Sequence, residues 1–146
     1  MTSLRAFTTE DIPAHIETYR ALYRTLSPSS LPITENSLTR AAENPNTVLA
    51  AYFSDNALVG IATLTIGDVA NKSLGFIEGV VVADHVRGSG IGEALITFVL
   101  KEAQKRGVVS CQLTCNTSPE RDTAHRLYRR MGFTVATRTT LYRKKL

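Results

Sequence analysis

Val80-Val81-Val82-Ala83-Asp84-His85-Val86-Arg87-Gly88-Ser89-Gly90-Ile91-Gly92-Glu93-Ala94-Leu95 runs from β-branched residues through a short polar turn into alternating glycines. The pattern predicts a strand, a tight loop and the start of an amphipathic helix, in that order. Such a junction is an anion site made of backbone. The first N–H groups of a helix lack acceptors, the helix dipole adds positive potential, and glycines let a ligand come close. Arg87 supplies a fixed charge at its mouth, so the spacing reads Arg-x-x-Gly-x-Gly.

Residue order decides which phosphate such a loop can hold. A Walker loop ends in Gly-Lys-Ser/Thr, because the lysine meets the terminal phosphates and the hydroxyl holds Mg²⁺. Here Gly92 is followed by Glu93 and Ala94. A dinucleotide loop needs Gly-x-Gly-x-x-Gly and an acidic residue about 20 positions on. This chain has Gly88-x-Gly90-x-Gly92, and the next strand-like segment, Val108 to Cys115, carries no acid. Both alternatives fail on named residues.

Downstream, Ile91, Ala94, Leu95, Phe98, Val99 and Ala103 share one helical face, and Gly107 ends the helix. Val108 to Cys115 reads as a strand. Ser118 and Pro119 read as cap and first residue of a helix bearing Ala124, Leu127, Tyr128 and Met131, stopped by Gly132. Phe133 to Val135 and Thr139 to Arg143 read as closing strands. Upstream, Leu4 to Phe7 predicts a strand. Thr9 then caps a helix with the apolar stripe Ile12, Ile16, Tyr19, Tyr23 and Leu26, in which Pro13 is tolerated because it falls in the first turn. Thr34 to Glu43 predicts a second helix. Val48 to Phe53 and Leu58 to Ile66 flank Ser54-Asp55-Asn56-Ala57, a hairpin signal. A polar loop, Gly67 to Lys72, leads to a strand from Leu74 to Val82, and Gly79 inside it predicts a bulge or a close approach to the backbone. The resulting class is α/β, one domain over residues 1–146, with a mixed sheet flanked by about four helices.

Bulk properties bound the function. The net charge of +4 comes without a Lys/Arg block longer than three, so it suits an anionic small ligand and gives no specific case for nucleic acid. No apolar run reaches the roughly 20 residues of a membrane span. With no signal-peptide pattern in Met1-Thr2-Ser3-Leu4-Arg5, the expectation is a cytoplasmic protein that engages neither membrane nor nucleic acid. His15, His85 and His125 are scattered and build no metal site. Cys111 and Cys115, if both lie on one strand, stand about 13 Å apart along it, too far for a disulfide.

Arg87-Gly88-Ser89-Gly90-Ile91-Gly92 after a strand resembles the pyrophosphate loop of the GNAT superfamily of acetyl-CoA-dependent N-acetyltransferases. The segment Ala124 to Phe133, with Leu127-Tyr128 followed by Gly132-Phe133, is similar to that family's second signature, Leu-Tyr-x-x-x-Gly-Phe at a helix end. Both occur in the family's order, and the resemblance covers nearly the whole chain. It implies a GNAT fold with a mixed, mostly antiparallel central sheet. It further implies a reaction in which an amine attacks the thioester of acetyl-CoA directly, in a ternary complex, without a metal.

Carried over residue by residue, the backbone of Val80, Val81 and Val82 would hold the pantetheine arm, with an N–H of Val80 or Val81 polarising the thioester carbonyl. Backbone N–H groups of Arg87, Gly88, Ser89, Gly90, Ile91 and Gly92 would surround the pyrophosphate. Tyr128 matches the family's proton donor to the leaving thiolate and lies close to the coenzyme sulfur. Glu78, a carboxylate interrupting an apolar stretch, is the candidate base, aided by partial burial. Gly79 replaces the second acid of the sugar-phosphate enzymes, so their substrate does not carry over. Asn116 matches a position that contacts the pantetheine or the acceptor side, and Arg121 or Arg129 of the following helix would reach the coenzyme A phosphates. The acceptor, a primary amine of a small molecule or a protein, would be held by about Leu22 to Ile33 and Gly67 to Ser73, which show no distinctive charge pattern. A homodimer is compatible with the family. The alternative function is a non-catalytic acyl-CoA-binding sensor, which would need neither Glu78 nor Tyr128.

Overall fold

The structure, a computed structural model, describes residues 1–26, 31–115, 117–136 and 140–146. Two compact units result, Met1–Thr114 and Cys115–Leu146. The first is an α/β unit whose strands β1 (Thr2–Ala6), β2 (Thr47–Ser54), β3 (Ala57–Val69), β4 (Lys72–Val82) and β5 (Ser110–Leu113) lie side by side in that order. All neighbours are antiparallel except β4 and β5, which run parallel. Helices α1 (Ile12–Leu26), α2 (Glu35–Glu43) and α3 (Ile91–Lys105) belong to this unit, and α4 (Asp122–Arg130) belongs to the second.

Period-2 alternation divides the sheet into two apolar faces. Leu49, Ala51 and Phe53 of β2, Ile61 of β3 and Val81 of β4 cluster with Phe7, Ile12, Tyr19, Leu22 and Leu38 under α1 and α2. The other face meets α3, where Leu95, Ile96 and Val99 are fully buried. At Gly60 a Cβ would stand only 2.9 Å from Ile91 Cγ2 and 3.0 Å from Leu95 Cδ1. The observed α3 face substitutes Ile96 for Ala94 and Phe98, which are only half-buried.

The Asp55-Asn56 turn is confirmed, with φ of 49° and 66°, the left-handed pair that a two-residue hairpin requires. Helix α2 starts as expected, with Thr34 Oγ1 accepting from Ser37 N–H at 3.0 Å. At α1 the cap is Thr8 rather than Thr9. Residues Thr9–Asp11 form a 3-10 turn, and Asp11 accepts from the Thr8 N–H at 2.8 Å. Arg5 then grips Asp11 at 2.7 and 2.8 Å and lies 4.4 Å over the Phe53 ring. With Arg5 bonded to it, the Asp11 carboxyl is held down at about 2.

Four sequence expectations about strands are corrected. The loop from Gly67 to Lys72 is mostly strand, since Asp68 pairs Ser73 and Val69 pairs Lys72, with the Ser73 hydroxyl bonded to the Asp68 carboxylate. Strand β5 has only Ser110–Leu113 of the expected Val108 to Cys115, because the Val108 N–H is spent on Ala103 O at the end of α3. Phe133 to Val135 form no strand, because the Phe133 N–H closes α4 on Tyr128 O. Of the expected Thr139 to Arg143 strand, Thr139 lies outside the described residues and 140–143 are not strand.

Candidate active site

Strand β4 has two neighbours along its first half and one along its second. Pairing with β5 runs from Leu74↔Ser110 to Ile77↔Leu113 and stops, while pairing with β3 continues to Val82↔Gly60. Among the described residues, the edge of Glu78–Val82 that faces away from β3 therefore carries unpaired peptide groups. The alternation of an antiparallel ladder says which groups these are. Ala83 N–H donates to Val59 O at 2.8 Å, so the peptide groups of Val81 also turn toward β3, and Val80 O and both peptide groups of Val82 turn away. Val82 O is reached from that open side by Arg87 Nε at 3.2 Å. The three valines thus divide: Val81 buries its side chain in the core, and Val80 and Val82 offer backbone.

Immediately beyond β4, Asp84–Val86 make a 3-10 turn and the glycine loop opens α3. Gly88 and Gly90 have φ of +80° and +85°, a region costly for any side chain, with open space where a Cβ would be. Gly90 caps the helix, and the N–H groups of Ile91, Gly92 and Glu93 form its first turn, beyond the reach of intrahelical carbonyls. Ser89 turns its hydroxyl back onto Val86 O, so its contribution to an anion is its N–H. Arg87 stands at the entrance, paired with Asp84 at 3.0 Å.

In the second unit the Leu127-Tyr128 to Gly132-Phe133 signature has a physical reason. Gly132, with φ +92°, ends α4; its N–H donates to Arg129 O at 3.1 Å and the Phe133 N–H to Tyr128 O at 3.0 Å. This two-bond helix stop needs a left-handed residue and brings an apolar pair together across it. The pair is Tyr128 and Phe133, edge to face at 6.0 Å. The stop thereby fixes the Tyr128 ring. Burial pushes the Tyr128 phenol up, the Cys115 thiol adds to this, and Arg121 opposes it. A phenol so raised stays protonated at neutral pH. Arg121 ends the 3-10 turn before α4 and is half-buried; Asn116 lies outside the described residues.

The family model described as acetyltransferase (GNAT) family matches residues 13–133. This chain belongs to the acetyltransferase (GNAT) family. It is an acyl-CoA N-acyltransferase by that membership, and solved structures agree on the fold. A Trypanosoma brucei acetyltransferase has 23% identity and a TM-score of 0.78, covering 99% of this chain and 100% of its own. An aminoglycoside acetyltransferase from an uncultured soil metagenomic sample, solved with sisomicin, has 18% identity and a TM-score of 0.83, with coverage of 99% and 96%. An aminoglycoside N-acetyltransferase solved with coenzyme A has 21% identity and a TM-score of 0.78, with coverage of 100% and 96%. No curated protein sequence matches the chain.

The remaining candidate of this acetyltransferase, Glu78, sits at a bulge. Ile61 pairs Val81 but Thr63 pairs Glu78, so β4 spends one residue more than β3, and Gly79 takes φ +62°. The extra residue brings Glu78 onto the same sheet face as Val81, the face under α1. The expected partial burial is corrected: Glu78 is exposed, because β5 has already left that part of the strand. Its charge is felt by two tyrosines of α1. Tyr19, 3% exposed and bonded to the Thr63 side chain, is pushed up to about 12 chiefly by burial; Tyr23 is raised by burial and then by Glu78. Sequence reasoning placed both tyrosines on an apolar stripe and missed this grouping. The available signal was two tyrosine hydroxyls a helical turn apart on an otherwise apolar stripe.

Among the described residues no group of His, Cys, Asp and Glu could hold a metal, and no helix is long and apolar enough to cross a membrane. Cys111 packs against Gly75, whose absent Cβ would stand 2.7 Å from its sulfur; burial raises both Cys111 and Cys115. Of the acceptor segments named from sequence, residues 27–30 lie outside the described residues.

Proposed function

We propose that the protein transfers acetyl from acetyl-CoA to a primary amine by direct attack in a ternary complex. The observation that carries this reading is the one-sided second half of β4, which ends at the glycine loop. An amide-bearing chain laid along Val80 and Val82 meets peptide groups that no strand pairs, once Arg87 is displaced from Val82 O. A pyrophosphate continuing from it meets the N–H groups of residues 87–92 and the Arg87 charge. Of the two candidate donors to the thioester carbonyl, Val81 turns its N–H toward β3, which favours Val80. On the same reading Asn116 and Arg121 lie on the coenzyme side. The family model runs through both compact units, which supports treating residues 1–146 as one domain.

The amine nitrogen attacks the thioester carbon and the C–S bond breaks. Glu78 takes a proton from the amine, directly or through water, and Tyr128 gives one to the leaving thiolate. The exposure of Glu78 suits a base that must release its proton to solvent after each turnover. The raised Tyr128 phenol suits an acid that must hold its proton until sulfur leaves. We read the enzyme as cytoplasmic, independent of nucleic acid and membrane, and compatible with a homodimer.

A thermal shift with acetyl-CoA followed by a thiol-release assay over an amine panel tests the reading. Stabilisation together with turnover on some amine is expected. Stabilisation without turnover on any amine would mark a sensor instead. Tyr128→Phe should lower kcat at least tenfold with little change in acetyl-CoA affinity, and wild-type turnover would remove Tyr128 from the mechanism.

A further inference from the structure

Strand β1 pairs only with β2 among the described residues, and the transfer chemistry above does not use its other edge. Met1 O accepts from the Asp55 N–H at 2.8 Å, and the Phe7 N–H donates to Leu49 O at 2.6 Å. In the antiparallel register these bonds mark the odd-numbered residues as those whose peptide groups face β2. The peptide groups of Thr2, Leu4 and Ala6 therefore face outward. Arg5 Nη1 covers Ala6 O at 3.0 Å, so the open stretch runs from Thr2 to Leu4, with neither a charge nor a proline to blunt it. Beside this edge lies a groove of about 380 Å³ between Leu4 and the Ala94, Thr97 and Phe98 side of α3, flanked along the helix by Glu93 and Lys101. Leu4, Ala94 and Phe98 are only half-buried there, and both charged residues are exposed.

Edge and groove are each self-complementary about a two-fold axis. Two β1 strands that pair antiparallel across Ser3 set Thr2 opposite the partner's Leu4, and both residues turn an N–H and a C=O to that side. On the helix, Glu93 and Lys101 stand four residues on either side of Thr97, about 12 Å apart. The same two-fold reverses α3, so each Glu93 carboxylate faces the partner's Lys101 and like charges do not meet. Leu4 and Phe98 of both copies then lie between the ion pairs. We propose that the β1–α3 face is the interface of a two-fold homodimer whose sheets join edge to edge through β1. A second copy answers the strand edge, the apolar groove and the order of charges together, as an isologous contact requires. The inference gives a surface to the homodimer that the functional reading allows, and it uses none of the transfer chemistry.

Sedimentation equilibrium of the full chain, tagged only at its C-terminus, tests this. A species of twice the 16.0 kDa chain mass should grow with concentration. Lys101→Glu sets acid against acid across the axis and should weaken the dimer at least about tenfold. Because the side chain is exposed, the Tm and far-UV circular dichroism of this variant should match the wild type. Adding Glu93→Lys exchanges the two charges and should bring the dimer back. Ser3→Cys tests the register. The two copies of residue 3 form a non-hydrogen-bonded pair with Cα atoms about 4.5 Å apart, within the disulfide range of roughly 4.4–6.8 Å. Copper-phenanthroline oxidation should therefore link two chains of Ser3→Cys and leave the wild type unlinked. A monomer at every concentration up to millimolar would overturn the proposal and leave the edge to a foreign strand. A dimer that survives Lys101→Glu, or that oxidation of Ser3→Cys leaves unlinked, would overturn it equally by placing the interface elsewhere. Failure of the acetyl-transfer reading shows separately, as absence of turnover in the amine panel.

Discussion

The two halves of β4 share a strand and a sheet yet do different work. From Lys72 to Ile77 the strand has β3 on one side and β5 on the other, and its backbone is used up in ladders. From Glu78 to Val82 it keeps β3 alone, and the bulge at Gly79 turns a carboxylate onto the helix face. Unused hydrogen-bonding capacity is costly when buried, so a fold tolerates it where a ligand or water takes the bonds. The first half thus answers to packing and the second to chemistry, and substitutions should separate along that line.

The largest separation is expected from Glu78→Gln. The side chain is exposed and the amide is isosteric, so Tm should stay within a degree or two. Loss of a general base removes about 10²–10⁴ in rate, so kcat should fall by at least about two orders of magnitude while KM for acetyl-CoA holds. A variant with wild-type kcat would reduce the second half of β4 to a backbone platform.

The opposite pattern is expected from Gly75→Ala in the first half. Its Cβ would press on Cys111 Sγ at 2.7 Å and on Leu64 Cδ1 at 3.1 Å, one a thiol of the partner strand and the other a fully buried core methyl. Overpacking of this kind costs about 1–3 kcal/mol. Urea unfolding should register it, with kcat and both KM values unchanged. Equal losses of stability and activity would mean that the two halves are coupled.

Legibility in the sequence follows the same division. Periodicity and punctuation predicted α1, α2 and α3, the Asp55-Asn56 hairpin and the Gly79 bulge, because each is decided by residues close together in the chain. The Glu78 environment was not legible. Its exposure depends on where β5 parts from β4, after Ile77↔Leu113, a pairing between segments far apart in the chain. Tyr19 and Tyr23 read as core on a helical stripe, and only the sheet register shows a carboxylate opposite them. The first closing strand, Phe133 to Val135, failed for a local reason that patterning does not encode: the Phe133 N–H ends a helix.

A further check lies at the opposite edge of the sheet, where Asp11 ties β1 to the start of α1. Asp11 is mostly covered and its folded pKa is about 2, below the ordinary carboxylate value. A depressed carboxylate contributes stability that is present above its unfolded pKa and is lost as pH falls through the folded one. Half-exposed Arg5 limits the contribution to about 1–2 kcal/mol. Stability measured by urea from pH 5 down to pH 2 should fall by about that much more in the wild type than in Asp11→Asn. Equal slopes would place the edge contact among the surface pairs that add nothing.

The smallest effect concerns the way into the second half. Arg87 is held by the Asp84 carboxylate at 3.0 Å and by Val82 O at 3.2 Å, so its guanidinium covers one of the peptide oxygens that the open edge offers. A ligand along that edge must displace it, and a pyrophosphate in the glycine loop gives it a new partner. Both side chains are solvated, and such pairs contribute at most about 1 kcal/mol. Asp84→Asn should therefore tighten coenzyme A binding only two- to fourfold by titration calorimetry, with the gain shrinking as salt screens the pair. Weaker binding in Asp84→Asn would reverse the sense of the contact. Asp84 would then hold Arg87 ready for phosphate, and the open edge would begin at Val80 alone.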